Sequence, residues 1–151
     1  PLQLRRFVIL QLRLRFGRRR HRLARTLERC AIARVSDCGY DRVRRGAEAW
    51  RRGDIEEYGR LSFESGRSSI ENWETGSPEL KKIYDIMTHT DGVYGGRFSG
   101  AGFKGCCMAI IDPAMRSSIF KKVESEYLAE FPDLRAYYSA YICHSADGVK
   151  I

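Results

Sequence analysis

Residues 95–107 read "GGRFSGAGFKGCC". Within them Gly100, Gly102 and Gly105 satisfy the G-x-G-x-x-G spacing that several unrelated nucleotide-binding folds use, and the residues after the last glycine decide among those folds. In a dinucleotide site the third glycine opens a helix whose N-terminus faces the pyrophosphate, and an acid stands about 20 residues further on. Here the third glycine runs into "CCMAIID", an apolar run halted by Asp112 and Pro113, and the acids near the required distance, Glu124 and Glu126, fall in a helical pattern. A protein-kinase glycine loop does join two strands, but it then needs V-A-I-K, H-R-D and D-F-G segments, and the 46 residues after Gly105 contain none of them. The glycines therefore link two strands, "GVYGGRFS" and "CCMAII", and free the backbone to bend and to approach a neighbour closely.

Working outward, Asp112 and Pro113 start a helix, "PAMRSSIFKKVESEYLAEF", whose inner face carries Met115, Ile119, Val123 and Tyr127 at every fourth residue. Pro132 stops it, and "AYYSAYICHSADG" supplies a last strand. On the N-terminal side, Ser77 and Pro78 form an N-cap followed by a favoured first-turn proline. The helix they open places Leu80, Ile83, Tyr84 and Met87 on one face, and "TDGVYGG" closes it. "ESGRSSIENWETGSPEL" mixes small and polar residues and reads as a loop. Before it, Asp54 and Glu57 have the spacing of a capping box, with Ile55, Tyr58 and Leu61 recurring on one side of the helix they start. "YDRVRRGAEAWRRGD" precedes it as a charged helix with one apolar stripe, Val43, Ala47 and Trp50, ended by Gly53, so the two form a helical hairpin. The order of elements predicts an α+β fold over residues 39–151, an antiparallel sheet with helices packed on one face. An irregular Arg-rich arm, residues 1–38, precedes it.

That arm carries the charge. Of the formal +8, residues 1–45 hold 14 arginines, no lysine and three acids (net +11), whereas residues 46–151 hold 13 basic and 16 acidic residues (net −3). The body is thus mildly acidic, and "RFGRRRHR" attracts phosphate backbones whatever its origin, so nucleic-acid binding is expected only non-specifically and through the arm. Three origins stand for the arm: a mitochondrial targeting segment, a nucleic-acid arm, or translation in a wrong reading frame. Pro1 in place of Met points to something lost upstream. The five cysteines include an adjacent pair, Cys106 and Cys107, and no C-x-x-C, which argues against a disulfide framework and a structural zinc site and for a reducing, cytoplasmic setting. Arg5, Arg6, Arg13 and Arg15 interrupt the longest apolar run, so no membrane segment or secretory signal is expected.

The run from Asp91 to Cys106, "DGVYGGRFSGAGFKGC", resembles the third conserved motif of the GHMP small-molecule kinases, "PGVYGxRFSGAGFGGC". "RRGDIEEYGRLSFESGRSSI" and the closing "YICHSADGVKI" resemble the galactokinases and related sugar kinases of that family. The three segments stand in the family's order over about residues 40–151. The resemblance implies the C-terminal domain of an ATP:sugar 1-phosphotransferase that uses Mg2+. The phosphate-cradling P-x-G-x-G-L-S-S-S loop, the catalytic Asp and the sugar-recognition motif would lie in an N-terminal kinase domain missing from this chain, so no catalytic residue is expected here and the chain alone is expected to be inactive. Carried over by position, the cofactor-binding residues are Gly96, Arg97, Ser99, Gly100, Ala101, Gly102, Phe103 and Gly105, beside the phosphate loop. The family's substrates are ATP and a monosaccharide: galactose, or a uronic acid or pentose. Lys104 stands where galactokinases usually carry Gly, and Ala101 where many do. Together with "SSIENWE" this resembles the uronic-acid and arabinose kinase branch, and it makes Lys104 a candidate contact to a phosphate or a sugar carboxylate.

Plainer roles suit the remaining conspicuous residues. Cys106 and Cys107 on an apolar strand read as small buried fillers with alternating faces. His89, near a helix end, and His144, in the final turn, read as capping or solvent-facing groups, since no acid–base partner is identifiable. Arg97 is balanced between a cleft contact and a structural ion pair. Glu64, Glu71 and Glu74 have no metal spacing and read as surface, and Tyr137, Tyr138 and Tyr141 read as sheet packing in preference to a base-stacking platform. A second reading of the whole chain is a stand-alone binding or regulatory module whose Arg-rich arm contacts an acidic partner. Deleting residues 1–38 would cost such a module its partner, whereas a kinase fragment would tolerate the loss.

Overall fold

The computed structural model describes residues 8–14, 29–103 and 105–143. Its elements run β1 (Val8–Leu14), α1 (Arg29–Arg52), α2 (Ile55–Glu71), α3 (Pro78–Thr88), β2 (Val93–Phe98), β3 (Gly105–Ile111), α4 (Arg116–Glu130) and β4 (Tyr138–Cys143), with short 3-10 turns on either side of α4. The strands form one antiparallel sheet in the order β2-β3-β1-β4.

The helix boundaries sit where the local signals place them. Gly53, at φ 74°, ends α1. The Asp54 carboxylate accepts from the Glu57 N–H at 3.1 Å and starts α2. Ser77 caps α3, with Pro78 in its first turn, and the Asp112 carboxylate accepts from the Ala114 N–H at 2.8 Å ahead of α4. The core lies between the sheet and α3 and α4: Leu80, Ile83 and Met87 meet Ile119, Val123 and Tyr127 over Phe98, Cys107 and Ile111. Each such side chain contributes about 1.5–3 kcal/mol by leaving water.

Three expectations differ from the fold. The segment from Glu64 to Glu71, which its small and polar residues mark as loop, continues α2. Its small residues serve packing: Gly66 is buried, and a Cβ there would come within 2.5 Å of the Tyr84 ring, whose hydroxyl donates to the Phe63 carbonyl at 2.6 Å. The stripe Val43, Ala47 and Trp50 shares one face of α1 but is not buried; Gly46 and Ala49 make the inward contacts.

The largest difference concerns the arm over residues 1–38, which is not irregular throughout. α1 begins at Arg29, and Val8–Leu14 is an interior strand, hydrogen-bonded to β3 on one side and β4 on the other. The signal was alternation from Leu10 to Leu14 in "VILQLRL", a period of two that the density of arginine around it obscured. Register places Leu12 opposite Cys107 and Ala140, and Leu10 opposite Ala109 and Ile142. A strand between two others satisfies its backbone groups on both edges, which edge strands do not.

Behind this sheet the Tyr127 and Tyr138 rings stack with centroids 5.6 Å apart, and among the described residues neither buried hydroxyl has a hydrogen-bond partner. Burial pushes both phenols well above their ordinary range. A buried hydroxyl without a partner carries a desolvation penalty of about 1 kcal/mol or more. Tyr127→Phe is therefore expected to raise the melting temperature, by about 3 °C for a domain of this size; a fall in thermal scanning would show the hydroxyl to be satisfied.

Candidate functional site

The β2–β3 ladder runs to the pair Phe98↔Cys107, and the Ser99 N–H donates to the Cys106 carbonyl at 2.8 Å just beyond it. The turn between the strands needs glycine for two distinct reasons. Gly100 has φ 84° and open space where a Cβ would stand, so its backbone conformation alone requires glycine. Gly102 has φ 75° and would also drive a Cβ to 2.5 Å from the Phe98 ring. Gly105, at φ 112°, returns the chain to β3.

The underside of the turn is fixed. The Gly102 carbonyl accepts from the Ser77 N–H at 2.7 Å, tying the turn to the N-cap of α3. Phe98, only 2% exposed, is wedged between Gly102 and Gly76 and lies edge-on to Tyr84. The outer side is open: Ser99, Gly100, Ala101 and Phe103 are exposed, and among the described residues the amides of Gly100, Ala101, Gly102 and Phe103 donate to no acceptor. Successive free N–H groups on a turn with left-handed residues form a concavity of partial positive charge suited to an anion.

Arg97 enters from β2, half-buried. Its Nη1 donates to Ser65 Oγ at 2.6 Å and its Nε to the Phe98 carbonyl at 3.3 Å, with no carboxylate in ion-pair range among the described residues. Gly96 lies behind the turn, buried, where a Cβ would come within 2.8 Å of the Met108 carbonyl, so close packing accounts for glycine there. The structure thus gathers Arg97, Ser99, Gly100, Ala101, Gly102 and Phe103 around one turn, with Gly96 and Gly105 in the strands that hold it. Lys104 and His144 lie outside the described residues. Sequence reasoning missed Ser65, Gly76 and Phe98; a glycine just before the Ser77–Pro78 cap was the one available signal.

Other conspicuous side chains have structural partners. Cys107 is buried, its thiol pushed up by burial, with Sγ 3.7 Å from the Leu80 carbonyl, and Cys106 is buried beside it. His89 caps α3, with Nδ1 2.8 Å from the Asp85 carbonyl. Glu64 pairs with Arg60 and lies 3.7 Å from Arg42. Glu57 is held down to about 2 by its hydrogen bond to Arg60 and, against some desolvation, by Arg45, which locks the α1–α2 hairpin. Tyr138 packs into the core, whereas Tyr137 and Tyr141 are about half exposed. Among the described residues no group of three or more His, Cys, Asp or Glu could hold a metal, and no helix is long and apolar enough to cross a membrane.

A family model described as "GHMP kinases C terminal" matches residues 47–130, more than half of the chain. The chain belongs to that family. It is 41% identical over 114 residues to a galacturonokinase of Arabidopsis thaliana and 32% identical over 112 residues to a galactokinase of Homo sapiens, each match covering 73% of this chain. Those matches cover 27% and 26% of the relatives, so this GHMP kinase C-terminal chain spans about a quarter of their length. Its fold superposes on Lactococcus lactis galactokinase complexed with galactose with a TM-score of 0.72 at 18% identity, over 95% of this chain and 46% of that one. It superposes on L. major mevalonate kinase in complex with R-mevalonate with a TM-score of 0.69 at 17% identity, over 98% of this chain and 46% of that one.

Proposed function

We propose that this chain is the C-terminal part of an ATP-dependent sugar 1-kinase, in which the β2–β3 turn donates its backbone N–H groups to the phosphates of ATP. The observation that carries the reading is the run of amides from Gly100 to Phe103 that meet no acceptor among the described residues, on a turn held from beneath by Ser77 and Phe98. Phosphoryl transfer is largely positioning and charge stabilisation, and a rigid turn of N–H donors serves both without losing entropy at the moment of reaction. ATP, when bound, supplies the phosphoryl group. Ser99 and Phe103 flank the turn, and Arg97 stands one residue before its base. The described residues do not fit a Mg2+ site, and none is assigned a role toward that ion.

The likeness to a galacturonokinase, 41% against 30–32% for the mammalian galactokinases, favours a uronic acid over galactose or a pentose. Lys104, between Phe103 and Gly105, is then the contact to phosphate or to the sugar carboxylate. Sugar recognition and the catalytic base belong to the N-terminal domain that the longer relatives have room for, and the chain alone is inactive. In this reading the C-terminal domain includes β1, a choice supported by the pairing of that strand with β3 and β4. That placement also weakens the alternative of a stand-alone module with a free arm. Cys106 and Cys107, both buried and outside any disulfide, suit a reducing cytoplasm.

Titrating the chain with ATP and with inorganic triphosphate, followed by backbone amide shifts, is expected to move Gly100–Phe103 in both cases. Lys104→Ala is expected to weaken triphosphate about tenfold, the worth of one charge-assisted contact. Shifts confined to any other surface would sink the assignment.

A further inference from the structure

Three turns of α1 present a face that its own hairpin does not cover. Val43, Ala47 and Trp50 recur along it at spacings of four and three, and Tyr58, Leu61 and Ser65 repeat the pattern on α2 across a groove of about 800 Å³. Val43 is 73% exposed and Trp50 37%, although both belong to the one apolar stripe of an otherwise charged helix. The groove follows α1 from Gly39 to Trp50, about 16 Å at 1.5 Å per residue. That is the length of three helical turns.

Its charge is one-sided. Arg42, Arg51 and Arg97 line the groove, and no Asp or Glu does. Arg42 reaches Glu64 only at 3.7 Å, Arg97 is bonded to a hydroxyl and a carbonyl, and Arg51 takes part in no ion pair among the described residues. Arg42 is thus paired, but an apolar trough flanked by the Arg51 and Arg97 guanidinium groups, which meet no carboxylate among the described residues, is complementary to a helix with one apolar face and acidic margins.

We infer that this groove receives an amphipathic helix of a partner protein, its apolar face seated on Val43, Ala47 and Trp50 and its Asp or Glu side chains meeting Arg51 and Arg97. A second copy of this chain, whose Arg44, Arg45 and Arg52 are held by Asp41, Glu57 and Asp54, is the other occupant that the test separates. The groove's floor is α1 and α2, and it shares Ser65 and Arg97 with the base of the glycine turn.

Trp50 makes the groove observable, since the chain has two tryptophans and Trp73→Phe leaves Trp50 alone. The probe is a synthetic helical peptide of about four turns with leucine on one face and glutamate on both margins, compared with the same peptide carrying lysine at the margins. The glutamate peptide is expected to blue-shift Trp50 emission and to bind at least about tenfold more tightly than the lysine peptide, a gap that narrows with added salt. Val43→Asp is expected to weaken it about tenfold or more while leaving the melting temperature unchanged, because position 43 is exposed. Equal binding of the two peptides, no binding of the glutamate peptide, or binding that survives Val43→Asp would overturn the inference. A dimer of the chain alone that Val43→Asp dissociates would overturn it as well, by assigning the groove to a second copy.

Discussion

Removal of residues 1–14 is expected to abolish cooperative folding of this chain. β1 exchanges hydrogen bonds with β3 along seven register pairs and with β4 along six, so its loss splits the sheet and detaches β4 from everything but α4 and the turn before it. Thermal unfolding followed by circular dichroism should change from one sigmoid to a broad, non-cooperative decline. An arm attached to a self-sufficient domain would instead be removable, and a truncated chain melting within a few degrees of the parent would restore that view. Leu12→Asp tests the same strand without shortening the chain: it puts a charge opposite Cys107 and Ala140 and should be nearly as damaging.

The second large effect is expected at Gly95. α2 runs against the edge strand β2 with Gly59 facing Tyr94 and Gly95, and a Cβ added at Gly95 would fall inside the Gly59 backbone, just as one at Gly59 would fall on the Tyr94 carbonyl. No rotamer relieves a clash between two main chains, so α2 must move away. Gly95→Ala is expected to cost about 3 kcal/mol or more, at the upper end of overpacking, and to lower the melting temperature by about 10 °C. Gly59→Ala should cost a similar amount. The double variant should cost clearly less than the sum, since α2 need be displaced only once. Because α2 also holds Ser65 against Arg97, Gly95→Ala should loosen the base of the glycine turn as well. A loss below about 1 kcal/mol in denaturant titration would mean that α2 and β2 do not approach this closely. Gly100→Ala is the useful contrast: open space surrounds that position, so only the left-handed backbone resists, at about 1 kcal/mol.

The sequence by itself determined what depends on near neighbours. Asp54, Ser77 and Asp112 could be read as helix starts because a cap acts within one turn. The inner faces of α3 and α4 followed from spacings of three and four. The glycine turn followed from two apolar runs that leave room for nothing but a hairpin, and the resemblance to GHMP kinases rested on that same turn. Where local signals conflicted, the reading failed for the same reason. Small and polar residues in α2 looked like a loop because their packing partner, Tyr84, is 18 residues beyond Gly66 and on another helix.

Only the tertiary structure decided the rest. The order β2-β3-β1-β4 places a strand from the start of the chain between two from its second half, and no local pattern records which backbone edges will meet. Gly59 and Gly95 are glycines because two backbones touch across 36 residues of chain, and Gly102 because Phe98 and Ser77 converge on it. Charge misled in the same way: arginines made residues 1–38 look like an irregular arm, while two waiting strand edges made residues 8–14 part of the sheet. Hydrogen bonding and burial act on positions that folding brings together, and for this protein those positions are often far apart in the chain.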